Sequence, residues 1–342
     1  MTNAQNTIQA PYLLFLGDVQ DDLSVKTSRG IFEWRPEKCV GELKLPGCGV
    51  TLGLPELTCR EAAKQGAKTF VLGITNRGGR FPDSWIAIVL RALDAGLDVA
   101  SGLHRRLADV PVIVERAQKL GRSLFDVRHS LQPGVVGSGI KRRGKRLLTV
   151  GTDCSIGKMF TALSIDREMI SRGMETNFRA TGQTGILIQG SGVSVDAVVA
   201  DFISGTVETL SPADPADCWH IIEGQGSLFH PSYAGVSLGL LHGAQPDVIV
   251  MCHDVTRLHM RGLPHQPLPD LAHCINFNLE AGRLTNPSIK LGGIALNTSS
   301  MSAHDADLCS REIAAQFNVP CVDPLRHGVG SIVDGMMASN GG

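Results

Sequence analysis

No two of the nine cysteines stand at C-x-x-C spacing; they are scattered from Cys39 to Cys321. An odd number without paired spacing indicates neither a disulfide framework nor a zinc ribbon, and a reducing cytoplasm is the expected compartment. An excess of one charge is lacking too. The 32 basic residues face 33 acidic ones, a formal net charge of −1, so no general field draws the chain to nucleic acid or to an anionic membrane. Small, specific ligands are the expected partners. The opening residues, MTNAQNTIQAPYLLFLGD, have no basic n-region, and their apolar stretch is far shorter than a spanning helix or a signal h-region requires. The expectation is a chain neither exported nor anchored. Internal repeats and low-complexity tracts are absent. So is a dinucleotide fingerprint: Gly47, Gly49 and Gly53 do not make G-x-G-x-x-G, and Pro55 interrupts the helix that such a motif should open.

What is present is enough apolar material, 43% of 342 residues, for a substantial core and two globular domains. The first half alternates apolar strands at 12–16, 68–74, 98–100 and 124–127 with amphipathic helices at about 85–95 and 110–120, punctuated by Gly96, Gly102 and Gly121. The second half repeats the rhythm, with buried strands at 147–150, 219–222, 248–251 and 294–296. The predicted fold is α/β: an N-terminal Rossmann-like domain over 1–135, then a P-loop NTPase-like parallel-sheet domain over 136–342. The boundary falls in QPGVVGSGIKRRGKR, residues 132–146, whose five basic residues read as a solvated linker. In such sheets ligands bind beyond the carboxyl ends of the strands, so the loops after strands are where chemistry is expected.

The sharpest motif follows the strand at 147–150. Gly151, Thr152, Asp153, Cys154, Ser155, Ile156, Gly157 and Lys158 spell G-x-x-x-x-G-K between an apolar strand and a helical pattern. Its glycines permit a tight loop of backbone N–H groups around a phosphate, the helix N-terminus adds positive potential, and Lys158 adds a point charge. The next residue is Met159, where nucleotide hydrolases carry the hydroxyl that binds magnesium. A thioether does not replace it for a hard cation, and Thr161 should point elsewhere on the helix. A phosphate loop without the usual Mg²⁺ arrangement suits coenzyme A, whose phosphates need a cradle but whose thioester chemistry needs no metal.

Other post-strand loops supply candidates. In WHIIEGQGSLFHP, Glu223 directly follows a buried strand and could accept a proton from an amine or act as a Walker-B-like acceptor; Gln225, Ser227 and His230 follow among glycines. In RATGQTG, Arg179 could grip a carboxylate, while Gln183 and Thr184 offer hydrogen bonds. Asn76 and Arg77, after a first-domain strand, could reach a substrate carboxylate. Asp196 is a weaker candidate. His253, His259, His265 and His273 invite a metal, but no two are spaced i, i+4 and three prolines interrupt the stretch, so a mobile loop over the active site is expected instead.

The motifs GTDCSIGKM, RATGQTGI, VDAVVADF and IIEGQGSLFHP, with LGD at 16–18 and GITNRGG at 73–79, resemble over nearly the whole chain a bacterial P-loop family formerly of unknown function, one branch of which is D-glutamate N-acetyltransferase. Met159 matches that family's pattern. The resemblance implies transfer of acetyl from acetyl-CoA to the amine of D-glutamate in D-amino-acid catabolism, with no metal. On that reading the loop 151–159 holds the co-substrate, and Arg179, Gln183, Thr184, Gln225, Arg77 and Asn76 hold the amino acid. Glu223, assisted by His230, is the base, and Lys158 or backbone amides stabilise the oxyanion. Cys154 is the competing idea, a nucleophile at a helix N-terminus. The GTD-x-x-x-GK loop and EGQG also resemble dethiobiotin synthetase, which keeps an ATP- and Mg²⁺-dependent ligase or kinase as the alternative. A non-catalytic nucleotide sensor is a third reading. A cytoplasmic homo-oligomer is expected, as is usual for soluble enzymes.

Overall fold

The computed structural model describes residues 7–74, 81–129 and 134–338. These divide into two compact units: the described residues up to 129 together with 182–197, and 134–181 together with 198–338. The segment 182–197, expected within the P-loop domain, is therefore part of the N-terminal unit.

The N-terminal unit is built on a parallel sheet of β1 (Tyr12–Gly17), β2 (Cys39–Lys44), β3 (Thr69–Leu72), β4 (Asp98–Ser101) and β5 (Leu124–Asp126), ordered β2-β1-β3-β4-β5. All six residues of β1 and all four of β3 are buried, as a strand covered on both faces requires, which is why both are continuous apolar runs in the sequence. The helix Asp83–Asp94 buries Trp85, Ile88, Val89, Ala92 and Leu93, an i, i+3, i+4, i+7, i+8 stripe. Trp85 meets Phe15 of β1 edge to face, with ring centroids 5.5 Å apart. The helix Pro111–Leu120 opens on proline and closes on Gly121 in the left-handed conformation, matching the predicted 110–120. The sequence reading missed β2, because CVGELK is an edge strand with only Gly41 and Glu42 buried and so lacks an apolar signature.

The second unit carries a six-stranded parallel sheet of β6 (Lys145–Gly151), β7 (Thr176–Arg179), β8 (Trp219–Ile222), β9 (Val248–Asp254), β12 (Lys290–Asn297) and β13 (Cys321–Val322). An antiparallel hairpin of β10 (His259–Met260) and β11 (Leu263–Pro267) lies between β9 and β12 in the chain. The sheet order is β13-β12-β9-β6-β8-β7. From β6 the chain first builds one side, β7 and β8, then crosses to build β9, β12 and β13 on the other. The reversal puts the ligand crevice at the carboxyl ends of β6, β8 and β9.

The basic stretch before β6 is not a solvated linker. Arg146 is fully buried; its guanidinium donates to Ser211 Oγ at 3.0 Å and to the carbonyls of Arg142, Gly144 and Pro212 at 3.0, 3.0 and 2.7 Å. Arg142 donates to the carbonyls of Ser211 and Gly243 at 2.8 and 2.7 Å, and Lys141 pairs with Asp247 at 2.8 Å. A run of charges overturns the solvated reading here because the carbonyls of Ser211, Pro212 and Gly243 that anchor Arg142 and Arg146 lie 65–101 residues away in the chain, beyond any local pattern.

Candidate active site

The loop after β6 has the shape its spacing predicts. Thr152 and Asp153 are fully buried, Thr152 N donates to Cys252 O of β9 at 3.2 Å, and the backbone turns through left-handed conformations at Ser155 (φ 52°) and Gly157 (φ 104°). Gly151 at the strand end and Ile156 are buried, whereas Ser155 and Gly157 face solvent and Cys154 is half-buried. Lys158 opens the helix Lys158–Ser171 and folds its Nζ back onto Asp153 O at 2.7 Å. Its pKa lies below the usual lysine range, chiefly because burial disfavours the charge, with Cys252, Cys154 and Asp153 pulling it back up. Met159 is half-buried. Thr161 faces the sheet, where its hydroxyl accepts from the Cys252 thiol at 3.5 Å, so it stands away from the loop as expected.

The loop after β8 lies directly beside it. Glu223 is 4% exposed; its Oε2 accepts from Thr181 N at 2.9 Å and its carbonyl from the Thr181 hydroxyl at 2.6 Å. Gly224 donates its N–H to Thr149 Oγ1 at 2.9 Å, and a Cβ at this position would lie 1.7 Å from Thr149 O and 3.0 Å from the Lys158 stem. No side chain fits between β6 and β8 here, so the glycine is what lets the loop after β8 pack directly against the stem of Lys158. Gln225 Nε2 donates to Thr181 Oγ1 at 3.2 Å, and Ser227 Oγ to Thr152 O at 3.1 Å. His230 is 2% exposed, with its ring centroid 4.5 Å from that of Tyr233. Its Nδ1 accepts from Ser232 N at 3.2 Å, so in the neutral ring Nε2 carries the proton, 3.5 Å from Arg261 O.

The third loop, after β9, held residues the sequence reading passed over. Arg257 Nη1 donates to Asp153 Oδ2 at 2.8 Å and to Cys154 O at 2.7 Å, and its Nη2 reaches Ser155 O at 3.1 Å and Asp254 Oδ2 at 3.3 Å. Arg261 N donates to the same Asp153 Oδ2 at 2.8 Å. These bonds hold the Asp153 carboxyl below the usual range against the opposing effect of its burial. The signal available was position: two arginines in the loop following a buried strand, obscured by attention to the histidines around them. Of those, His253 Nδ1 lies 3.1 Å from Thr152 Oγ1, while His259, His265 and His273 are exposed. The stretch expected as a loop over the site contains a hairpin, β10 and β11, tied to Asp153 through Arg261.

Glu223, Lys158, His230, Gln225 and the whole loop 151–159 are thus brought together. Other candidates are not. The Arg179 guanidinium turns to His220, with Nη2 3.0 Å from His220 Nε2 and 4.0 Å from Asp214 Oδ2. Gln183 and Thr184 begin the helix Gln183–Gln189 of the N-terminal unit, where Thr184 Oγ1 lies 3.3 Å from Thr27 Oγ1. Asp196, in the same unit, pairs with Arg128 at 3.3 Å. Asn76 and Arg77 lie outside the described residues.

Two clusters among the described residues have donor atoms close enough to share a metal ion: Asp153, Cys154 and His230, and Asp214, Cys218 and His220. Each has a guanidinium already on it, Arg257 on Asp153 at 2.8 Å and Arg179 on His220 at 3.0 Å. A cation entering either would meet that positive charge.

Comparison with known proteins agrees with this architecture. The family described as "Domain of unknown function (DUF1611_C) P-loop domain" matches residues 135–333, and "Domain of unknown function (DUF1611_N) Rossmann-like domain" matches residues 43–130. The chain is 52% identical over 326 residues to a protein of a Pseudoalteromonas species named D-glutamate N-acetyltransferase, covering 95% of this chain and 98% of that one. It is 49% identical over 331 residues to a protein of the same name from Tritonibacter scottomollicae, covering 97% and 99%. The crystal structure of a DUF1611 family protein from Anabaena variabilis superposes with a TM-score of 0.82 at 31% identity, covering 96% of this chain and 100% of that one.

Proposed function

Because the chain belongs to the DUF1611 family, we propose that it is an N-acetyltransferase that moves acetyl from acetyl-CoA to the amine of D-glutamate. The observation that carries this reading is identity of about half, over nearly the full length, to two proteins named for that activity. The site's chemistry supports it. The loop offers a phosphate cradle, but no hydroxyl follows Lys158, and Asp153 is already engaged by Arg257 and Arg261. That favours a ligand whose phosphates are held rather than transferred, and disfavours the ATP- and Mg²⁺-dependent alternative.

In the reaction the free amine attacks the thioester carbonyl, a C–N bond forms, the C–S bond breaks, and the amine's proton must leave while the thiolate of CoA gains one. The α-ammonium of an amino acid is mostly protonated at neutral pH, so a base is required. Glu223, one residue before the glycine that packs against the Lys158 stem, takes that role. His230 fits a donor better than a base, since its Nδ1 is occupied by Ser232 N and its proton sits on Nε2, which would have to leave Arg261 O, 3.5 Å away, to serve a developing oxyanion or leaving thiolate. Transfer is direct. Burial pushes the Cys154 thiol above its ordinary pKa despite Lys158 nearby, which opposes a thiolate nucleophile. Gln225 joins the acceptor side of the site. Cytoplasmic location and a homo-oligomeric state belong to the same proposal; no helix among the described residues is long and apolar enough to cross a membrane.

The test is thiol release from acetyl-CoA in the presence of EDTA, with D-glutamate, L-glutamate and no acceptor in parallel. Release with D-glutamate alone is the expected outcome. Release independent of any acceptor, or turnover of Mg-ATP in its place, would sink the proposal.

A further inference from the structure

Arg257 belongs to none of the motifs, yet its guanidinium donates to three successive residues of the phosphate loop, Asp153, Cys154 and Ser155. We propose that Arg257 is a positioning residue: its guanidinium sets the peptide planes of the loop and neutralises Asp153, so that the loop binds phosphate without a divalent cation. The inference rests on the phosphate-binding half of the functional reading and not on the identity of the acceptor.

The geometry follows from the planar trans peptide. In each such unit the C=O and the next residue's N–H point in opposite directions. Arg257 holds the carbonyls of Cys154 and Ser155 at 2.7 and 3.1 Å, and thereby turns the N–H groups of Ser155 and Ile156 to the other side. Lys158 Nζ similarly holds Asp153 O at 2.7 Å. Among the described residues neither the Ser155 nor the Ile156 amide has a protein acceptor, whereas the Cys154 amide is occupied by Asp153 Oδ1 at 2.6 Å. Two adjacent N–H groups aimed the same way around a left-handed residue, Ser155 at φ 52°, form a concave anion nest. Left free, those peptide planes would have to be ordered by the ligand at a cost in affinity.

The charge argument is independent. Asp153 places a fully buried carboxylate inside a loop meant for anions, which would repel phosphate unless neutralised. Arg257 Nη1 at 2.8 Å supplies that neutralisation, and with Arg261 N and Cys154 N it leaves the carboxylate held by three donors. A magnesium ion would have to displace them.

The experiment uses the full-length protein and its variants Arg257→Gln and Arg257→Lys, titrated calorimetrically with CoA and, separately, with inorganic pyrophosphate, in EDTA and in Mg²⁺. Wild type is expected to bind both probes equally in the two buffers. Arg257→Gln should weaken both by about tenfold or more, as expected for loss of charge-assisted bonds, with Arg257→Lys intermediate because a point charge cannot span two carbonyls. In steady state the KM for acetyl-CoA should rise while kcat and the KM for D-glutamate stay within about threefold, and guanidinium ion added to Arg257→Gln should restore part of the CoA affinity. Unchanged affinity in Arg257→Gln, an equal rise in both KM values, or tighter binding by wild type in Mg²⁺ would each overturn the proposal. If Arg257→Gln does not fold, Arg257→Lys decides: wild-type affinity for CoA in that variant rejects the role. If wild type transfers no acetyl but binds either probe, the acetyltransferase reading fails and the binding comparison still decides Arg257. If it binds neither, both fall.

Discussion

The P-loop unit contains the same three residue types twice, as Asp153, Cys154 and His230 and as Asp214, Cys218 and His220. The first set stands on the loops that follow β6 and β8; the second precedes and enters β8. In the first, Cys154 is half-buried and flanked by the exposed Ser155, and Arg257 spends its donors on loop carbonyls whose amides face outward. In the second it is the histidine that is enclosed, although Asp214 is half-buried: His220 is 1% exposed, its Nδ1 lies 2.7 Å from the buried Ser211 Oγ and its Nε2 2.8 Å from Asp214 Oδ2, and Arg146 and Arg179 complete the cluster. The same chemistry makes a site at one end of a parallel strand and an internal brace at the other. The carboxyl end is where neighbouring loops diverge and leave a crevice, whereas at the other end of β8 the His220 ring is packed in.

That contrast can be broken at several points. Glu223→Gln keeps the shape and an acceptor oxygen toward Thr181 but cannot take a proton, so kcat should fall by about 10²–10⁴-fold with both KM values little changed. A fall of less than about tenfold would make Glu223 a brace like Asp214. Lys158→Met keeps the stem that packs against Gly224 while removing the charge, and should lower kcat/KM for acetyl-CoA by about 10²-fold with unfolding unaffected.

The closed cluster should answer to stability instead of activity. Burial brings His220 down to about 4 from 6.5, so the folded protein keeps it neutral at pH values where the unfolded chain is protonated. Its contribution is complete above about pH 6.5, is lost as pH falls toward about 4, and levels below that, amounting to about 3 kcal/mol in all. Urea midpoints measured across this range should slope downward with acid in wild type and flatten in His220→Asn; an unchanged slope would show that His220 is not the titrating group. The smallest effect is expected at Cys154→Ala, whose kcat should stay within about threefold, because direct transfer uses no thiol. Loss of turnover with an acetylated Cys154 in wild type would reverse that assignment and raise the first cluster to a nucleophilic one.

Sequence reading located β1, β3, β4, β5, β6, β8, β9 and β12; all but the edge strand β5 are inner strands, whose covering on both faces of a parallel sheet writes an apolar run into the sequence. The missed strands of the two parallel sheets, β2, β7 and β13, lie at sheet edges and are short or mixed in polarity, and the hairpin strands β10 and β11 were read as loop. Glu223 and Gln225 were legible as residues directly after a buried strand. Arg179 satisfies the same rule and yet turns its guanidinium back to His220, so position after a strand names the loop but not the direction of a long side chain. Gln183 and Thr184 sit only a few residues further on, and belong to the other unit.

By itself the sequence determined the alternation of elements, the phosphate loop between a buried strand and a helix, and the want of a hydroxyl at Met159, since each depends on neighbours within a few residues. Only the tertiary structure decided that Arg257 meets Asp153, 104 residues away, that Thr181 meets Glu223, and that Arg146 is a buried anchor. Strand neighbours in a parallel sheet are chosen by crossovers and not by succession along the chain, as the order β13-β12-β9-β6-β8-β7 shows, so the residues that share a loop cluster leave no spacing between them to read.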